Sequence, residues 1–137
     1  MKKSMSTLAL AAVVAAGTTL AAASTATAAT NASPDCNIYN LCYYWGDNYS
    51  GSHTGMSGWE VADVMNPWIE FESAGAGQGQ GIGNNAGSIR NLDYQICVTI
   101  YEDEYFGGRT DNIGKSGGLT GWFVTKNNNR AHRHYFC

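Results

Sequence analysis

Basic residues are scarce in this sequence of 137 residues, which holds 8 lysines and arginines against 11 aspartates and glutamates. Two of the lysines lie at the extreme N-terminus, and without them six basic residues face eleven acidic ones, a formal charge of −5. That sign excludes a nucleic-acid binder that works by neutralising phosphates. Leucine and lysine are also few beyond Ala29, which disfavours a helical bundle or a coiled coil. The length permits a single domain.

The N-terminal segment 1–28 has the pattern of a secretory signal peptide. It combines two lysines, an apolar run over 7–16 and the small residues 26–28 at a cleavage site. A membrane anchor is the alternative, but the apolar run ends before the roughly 20 residues that a span requires. We expect a secreted, extracellular product without a membrane span, with a short disordered lead at 29–35 and one domain at 36–137.

Four cysteines in a secreted domain of this size predict two disulfides, which can be paired in three ways. A metal site of four thiolates is the alternative, but its ligands usually come in C-x2-C pairs, and the sequence has none. We favour Cys36 with Cys42, which closes a small loop, and Cys97 with Cys137, which ties the middle of the chain to its last residue. A bridge from Cys42 to Cys97 would mean that the two halves of the chain pair differently.

Two stretches, 41–51 and 98–108, align without gaps and share the pattern Tyr-x4-aromatic-x-Gly. β-forming residues precede each copy, and a short polar stretch follows, which predicts a strand, a tight turn and a return strand. The aromatic pair would cover the folded hairpin, and a side chain at the glycine would obstruct the ring or a positive φ. The hairpin positions are Tyr44, Tyr49, Gly51, Tyr101, Phe106 and Gly108.

A second element repeats downstream, because the asparagine-rich stretch 83–90 corresponds to 127–134. The two repeat units, at about 40–95 and 97–137, would each supply a hairpin and two further strands, about eight strands in all. This predicts an all-β fold, a disulfide-bonded β-sandwich of two Greek-key motifs.

Two segments of the first unit are harder to interpret. The Gly-Ala-Gln tract at 73–83 has few apolar side chains, so we expect a flexible surface loop. The segment 59–68 has apolar residues at helix-like spacing. It predicts either one short helix or an aromatic-rich loop packed under the sheet, and the sequence leaves both open.

The repeat resembles the βγ-crystallin-like superfamily and, within it, the secreted actinobacterial proteins of peptidase inhibitor family I36. The resemblance covers 36–137 and is carried by the second hairpin, 98–109, by the later stretch 119–123 and by the opening Cys36-x5-Cys42-Tyr43-Tyr44. It implies the βγ-crystallin-like fold. For activity it is less specific, because the superfamily includes protease inhibitors, calcium binders, toxin-like proteins and structural proteins on one scaffold.

Calcium is the second function that the resemblance raises. The superfamily's calcium loop, Asn/Asp-Asn/Asp-x-x-Ser/Thr-Ser, supplies oxygen ligands from two facing loops. The stretch 84–88 fits its first five positions, whereas the second copy brings in His132 and two arginines, which oppose a divalent cation. We expect at most one weak calcium ion as cofactor, the alternative being that the asparagines are only turn residues. The expected ligands are Asn85, Ser88, Asp103 and Glu104.

Catalytic patterns are weak, and we expect no enzyme. All four cysteines are assigned to disulfides, which removes a thiol nucleophile. The consecutive acids 102–104 are interpreted as the solvated tip of the second hairpin. His132 and His134 would share one face of a final strand; we interpret them as surface residues, with a transition-metal pair as the alternative.

A small inhibitor usually presents a rigid exposed loop, because little entropy is then lost on docking. The loop between Cys36 and Cys42 is the only short disulfide-clamped segment, and Ile38, Tyr39 and Leu41 would be its contact residues. The alternative, which we favour for this loop, is a staple that anchors the first strand.

The leading hypothesis is a secreted, monomeric inhibitor of an extracellular protease, with a metalloprotease favoured by the family. The alternatives are a calcium-stabilised extracellular module and a toxin-like effector without inhibitory activity.

Overall fold

The computed structural model describes residues 32–37, 41–65 and 68–137. Within these ranges the chain forms nine β-strands and two short 3₁₀ turns, Asp47–Tyr49 and Glu104–Phe106. No helix in the described ranges is long and apolar enough to cross a membrane. The strands are β1 (Ala32–Ser33), β2 (Leu41–Tyr44), β3 (His53–Met56), β4 (Glu60–Val61), β5 (Ser88–Asn91), β6 (Cys97–Tyr101), β7 (Thr110–Ile113), β8 (Gly118–Leu119) and β9 (Ala131–Tyr135).

The strands form two antiparallel sheets, ordered β1-β3-β2-β5-β8 and β4-β9-β6-β7. Strand β4 belongs to the first repeat unit but pairs with β9 of the second. In return, β8 of the second unit pairs with β5 of the first. Because each unit lends its third strand to the other unit's sheet, the two units close around one shared core. The predicted β-sandwich of two Greek-key motifs is confirmed.

The core lies between the two sheets and follows the period-two alternation of strands. In β6, Val98 and Ile100 are fully buried, whereas Thr99 between them is half-buried. Burying each large apolar side chain contributes about 1.5–3 kcal/mol. The buried cluster consists of Leu41, Tyr43, Met56, Val64, Ile69, Phe71, Ile82, Ala86, Ile89, Val98, Ile100, Ile113 and Phe123.

Matching hydrogen bonds relate the two units and correct the alignment of their asparagine loops. The amide of Asn84 donates to the carbonyl of Asn129 at 2.8 Å, and the amide of Asn127 donates to the carbonyl of Ala86 at 2.9 Å. Asn84 is therefore equivalent to Asn127, so the stretch 83–90 corresponds to 126–133. The sequence alignment was wrong by one residue, because three consecutive asparagines cannot fix a register.

The predicted disordered lead at 29–35 is wrong for Ala32 and Ser33. These residues form β1, whose partners are Met56 and Gly55 of β3. Strand β3 would otherwise leave one edge unpaired, and its free backbone groups can accept a short added strand whatever the added side chains are. The predicted signal peptide at 1–28 lies outside the described residues.

The sequence predicts either a short helix or a loop at 59–68, and the described residues of this segment form a loop. Glu60 and Val61 form β4 and pair with Arg133 and His132, and the following segment continues without a helical turn. Val64 is fully buried under the sheets. The helix prediction failed because the apolar spacing reflects an edge strand followed by a buried turn.

The glycine-rich tract 73–83 lies on the surface as expected only over 73–80, because Gly81, Ile82 and Gly83 are buried and Ile82 belongs to the core. The backbone of its exposed part is held by hydrogen bonds. The amide of Gly79 donates to the carbonyl of Phe71, and the amide of Ser52 donates to Ala76, both at 2.9 Å. A β-carbon at Gly77 would collide with the ring of Trp45. Because its glycines have no side chains, this tract packs closely against the ring of Trp45. The prediction of a flexible loop did not anticipate this packing.

Candidate functional site

The sandwich has two ends with different chemistry. The hairpin end carries the two 3₁₀ turns and the paired asparagine loops. The disulfide end carries both disulfides, the segment 57–59 and the segment 91–97. Strand register defines this second end, because Leu41 at the start of β2 pairs with the last residues of β3 and β5. The side chain of Asn91 donates to the carbonyl of Ile96 at 2.8 Å and so links the two sheets there.

Both predicted disulfides are present. Cys36 is bonded to Cys42 and Cys97 to Cys137, with Cα atoms 5.7 and 5.9 Å apart. The second bond joins Cys97, the first residue of β6, to Cys137, two residues beyond β9. Strands β6 and β9 are neighbours in one sheet. The bond therefore fixes the C-terminal residues against the disulfide end.

The structure corrects one predicted inhibitory contact. Leu41 is fully buried and belongs to the hydrophobic core, so its side chain is unavailable to a protease. Its position follows from its place as the first residue of β2, between β3 and β5. Ile38 and Tyr39 lie outside the described residues, and their predicted contact role stays a prediction.

The two folded hairpins have the predicted geometry. The Tyr44 and Tyr49 ring centroids are 5.4 Å apart, and those of Tyr101 and Phe106 are 5.5 Å apart. Gly51 and Gly108 have φ values of 76° and 74°, the left-handed region in which a side chain is strained. A β-carbon at Gly108 would also lie 2.7 Å from a carboxylate oxygen of Asp103.

Ser88 stabilises the first hairpin and does not face the second. Its hydroxyl donates to the carbonyl of Gly46 at 2.6 Å and accepts from the amide of Tyr49 at 2.9 Å. The corrected register makes Ala131, not His132, the equivalent residue of the second unit. The second hairpin therefore lacks this hydroxyl. The amide of Tyr105, one residue before the Phe106 that corresponds to Tyr49, donates to the carbonyl of Ala62 at 2.7 Å.

Three of the four side chains predicted to bind calcium already have protein partners. Ser88 contacts the first hairpin, and the side-chain amide of Asn85 donates to the carbonyl of Gly81 at 2.8 Å. Glu104 is paired with Arg130 at 3.1 Å. A calcium ion takes six to eight oxygen ligands, so the residues present do not fit the predicted ion.

Cationic side chains already occupy the acidic tips of both hairpins. Asp47, which begins the first 3₁₀ turn, pairs with Lys126 at 2.5 Å, and Arg130 bridges Glu104 and Asp63. Among the described residues no group of three or more His, Cys, Asp or Glu side chains could hold a metal. The hairpin end thus carries its own positive charges beside its carboxylates.

The consecutive acids of the second hairpin are only partly a solvated tip. Asp103 and Glu104 are exposed as predicted. Glu102, however, is held by the guanidinium of Arg109, with N···O distances of 2.7 and 2.8 Å, and by the side chain of Asn128. Hydrogen bonds from Arg109 lower the pKa of Glu102 to about 2.

The two C-terminal histidines are buried, which overturns their interpretation as surface residues. His132 is fully buried, and its Nδ1 accepts from the hydroxyl of Tyr43 at 2.9 Å. His134 shares that face of β9, as predicted, and its Nδ1 donates to the carbonyl of Trp59 at 2.9 Å. The reason is non-local, since the inward face of β9 lies against Tyr43 of β2 and against the carbonyls of Gly58 and Trp59.

Burial and hydrogen bonding also argue against the alternative that His132 and His134 bind a transition metal. Desolvation, with a smaller contribution from His134, lowers the pKa of His132 to about 3. Its Nε2 lies 3.4 Å from the carbonyl of Gly58. Because both ring nitrogens of His132 have protein partners, the ring is engaged as a neutral hydrogen-bonding group in the core.

A pocket of about 220 Å³ opens at the disulfide end. Its residues come from three separate segments of the chain. Asp93 is only 7% exposed, and its Oδ1 accepts from the amides of Gln95 and Ile96 at 2.6 and 3.2 Å. The lining residues are Ser57, Gly58, Trp59, Asp93, Ile96 and His134.

Exposed aromatic rings lie beside this pocket. Trp59 is 48% exposed and Phe136 is 82% exposed. Their ring centroids are 5.5 Å apart, and the ring of His134 lies 5.9 Å from that of Trp59. We call Trp59 and Phe136 the aromatic rim.

The sequence matches the model of a known family over more than half of the chain. Residues 29–113 match the family described as peptidase inhibitor family I36. The chain belongs to this family. The I36 match spans β1 to β7 and includes three of the four disulfide cysteines and the pocket segments 57–59 and 93–96. Strands β8 and β9 lie beyond the matched residues.

Solved structures similar to this I36 chain are βγ-crystallin domains and a related domain. One, described under the evolution of the eye lens βγ-crystallin domain fold, has a TM-score of 0.55 and 13% identity, covering 77% of this chain and 92% of that one. The N-terminal domain of protein S has a TM-score of 0.52 and 10% identity, covering 71% and 96%. A double mutant of a βγ-crystallin domain from Clostridium beijerinckii has a TM-score of 0.50 and 15% identity, covering 70% and 96%.

At these identities the likeness establishes the βγ-crystallin-like fold. No curated protein sequence matches the I36 chain significantly.

The I36 chain's pocket residues were not identified from the sequence. Asp93, Trp59 and His134 are far apart in sequence, and none of them stands in a recognisable motif. These residues come together because β4 of the first unit pairs with β9 of the second. Spacing within a short stretch of sequence cannot reveal that pairing.

Proposed function

We propose that this chain is a secreted inhibitor of an extracellular peptidase, with a metalloprotease as the favoured class, and that the disulfide end is its contact surface. Membership of peptidase inhibitor family I36 is the observation that carries the inhibitory function. The metalloprotease preference rests on the family resemblance alone. Secretion is supported by the signal-peptide pattern and by two disulfides, which persist in oxidising compartments.

The disulfide end has the composition of a protein-binding surface. Tryptophan, tyrosine and phenylalanine are enriched at protein interfaces and supply much of their binding energy. The disulfide end carries three exposed aromatic residues, Trp59, Tyr135 and Phe136. The hairpin end also presents one exposed aromatic residue, Tyr105, but its carboxylates Asp47 and Glu104 are paired with Lys126 and Arg130.

Rigidity supports the same surface. The bond between Cys97 and Cys137 holds the C-terminal residues, including Phe136, next to the start of β6. Two bonds from His134, through its amide and its Nδ1, hold the carbonyl of Trp59 at 2.9 Å each. A fixed surface loses little conformational entropy when a partner docks, which favours tight inhibition.

The direct test is a titration of purified protein against secreted metallo-, serine and cysteine peptidases. Stoichiometric loss of activity of one peptidase is the expected result, with a metalloprotease most affected. No inhibition at micromolar protein across the whole panel would overturn the proposed function.

Matched variants locate the contact surface. Phe136→Ala should weaken inhibition by about tenfold or more if this ring is an interface anchor. Trp122→Ala is the control, because Trp122 is 85% exposed on the segment between β8 and β9, outside the disulfide end. Equal loss of inhibition in both variants, or loss only with Trp122→Ala, would contradict the assignment of the contact surface.

A further inference from the structure

We infer that the pocket behind the aromatic rim accepts a lysine or arginine side chain presented by the bound peptidase, with Asp93 as its counter-ion. The identity of the partner rests on the proposed function. The chemistry of the pocket stands on its own geometry.

The carboxylate of Asp93 is the feature of the pocket that favours binding of a cation. The side chain is 7% exposed and lines the pocket, yet Asp93 takes part in none of the five ion pairs formed among the described residues. Two backbone amides bond Oδ1, which fixes the orientation of the carboxylate. A buried carboxylate that is fixed in place but has no cationic partner favours binding of a positive group from outside.

The aromatic rim provides a second recognition element for the same group. A guanidinium or ammonium group is attracted to the face of a tryptophan within about 6 Å of the ring centre. The protein already uses this interaction elsewhere, since the guanidinium of Arg133 lies 3.9 Å from the Phe106 ring centroid. Trp59, half exposed at the pocket wall, can stack on the stem and head group of an entering basic side chain.

Size and overall charge agree with this occupant. Pockets for drug-sized small molecules are usually about 300–1,000 Å³, whereas this one is about 220 Å³. It therefore suits one side chain better than a separate cofactor. The sequence without its two N-terminal lysines has a formal charge of −5, which favours approach of a basic surface.

A first experiment tests the pocket without any peptidase. The protein, labelled with ¹⁵N, is titrated with N-acetyl-arginine amide and with N-acetyl-citrulline amide, which has nearly the same shape without the charge. We expect a saturable shift of the Trp59 indole signal with the arginine compound only. In Asp93→Asn, which retains Oδ1 for the two backbone amides, binding should weaken by about tenfold or more. Equal shifts from both compounds, or an unchanged affinity in Asp93→Asn, would refute the pocket.

A second experiment uses a peptidase that the wild-type protein inhibits. Asp93→Asn and Trp59→Phe should each raise the inhibition constant, the former by about tenfold or more, while Trp122→Ala leaves it unchanged. The thermal melting temperature of each variant controls for folding. Inhibition that is insensitive to Asp93→Asn would overturn the inference and leave the proposed function standing. Binding of the arginine compound without inhibition of any peptidase would reject the proposed function and retain the pocket.

Discussion

Stability should fall as pH decreases through the weakly acidic range, because of one buried side chain. Burial lowers the pKa of His132 from its ordinary value of 6.5 to about 3. Between these two values the unfolded chain binds a proton at this residue and the folded chain does not. The free energy of unfolding contributed by the neutral ring is therefore fully present above about pH 6.5 and is lost progressively down to about pH 3.

The magnitude follows from the difference between the two pKa values. Each unit of pH between them is worth about 1.4 kcal/mol, so the total loss for His132 is about 4–5 kcal/mol. That is a large part of the 5–15 kcal/mol that typically stabilises a domain. We expect the change to be visible well before Glu102 is protonated, because hydrogen bonds from Arg109 lower the pKa of Glu102 to about 2.

Urea unfolding, measured at neutral pH and in steps down to about pH 4, gives this slope directly. His132→Gln removes the titrating ring but keeps an amide that can bond Tyr43, so its stability should depend less steeply on pH. Tyr43→Phe is the control, because it removes one hydrogen bond and leaves His132 buried. It should lower stability by about 1–2 kcal/mol and retain the slope. Parallel curves for the wild type and His132→Gln would refute the reasoning.

Three further predictions concern the hairpin end and the disulfides. Ser88→Ala should cost about 1–3 kcal/mol in urea unfolding, since two backbone groups of the first hairpin lose their partner; an unchanged midpoint would contradict this. Replacing Cys97 and Cys137 by serine should cost about 4 kcal/mol, against about 2 kcal/mol for Cys36 and Cys42, and equal losses would argue against the loop-length reasoning. Millimolar calcium or a chelator should leave the melting temperature unchanged, whereas a calcium-dependent rise that Ser88→Ala abolishes would establish the site expected from the sequence.

Local chemistry explains which parts of the fold were predictable. The hairpins follow from a short pattern in which an aromatic pair packs above a glycine of positive φ, and both copies have it. The disulfide pairs followed from their positions in the chain, because one closes a short loop before β2 and the other ties the start of β6 to the residues after β9. The register of the loops did not, because Asn127, Asn128 and Asn129 are chemically identical and only their backbone bonds distinguish them.

The candidate site depends on contacts that sequence spacing does not report. His132 and His134 have residue types that are often exposed, but they lie on the inward face of β9, against Tyr43 of the other sheet and the carbonyls of Gly58 and Trp59. Asp93 stands in a turn before β6, where an aspartate is unremarkable. Its significance comes from a pocket that three distant segments line.

The two units also differ in the part of the core that lies next to the pocket. The corrected register makes Tyr43 and His132 of the shared core equivalent to Ile100 and Ile89. An apolar pair would satisfy the core without any hydrogen bond, whereas the polar pair must be bonded to remain buried. His132 lies against the carbonyl of Gly58, the residue that precedes Trp59.

His134 continues this support, because its amide and its Nδ1 both bond the carbonyl of Trp59. Two histidines of one strand thus hold the backbone of the pocket wall; burial keeps His132 neutral, and the hydrogen bond from Tyr43 orients its ring. The fixed backbone holds the half-exposed Trp59 in place at the pocket wall. The core pair Tyr43 and His132, whose equivalents are both apolar, therefore also makes the disulfide end different from the hairpin end.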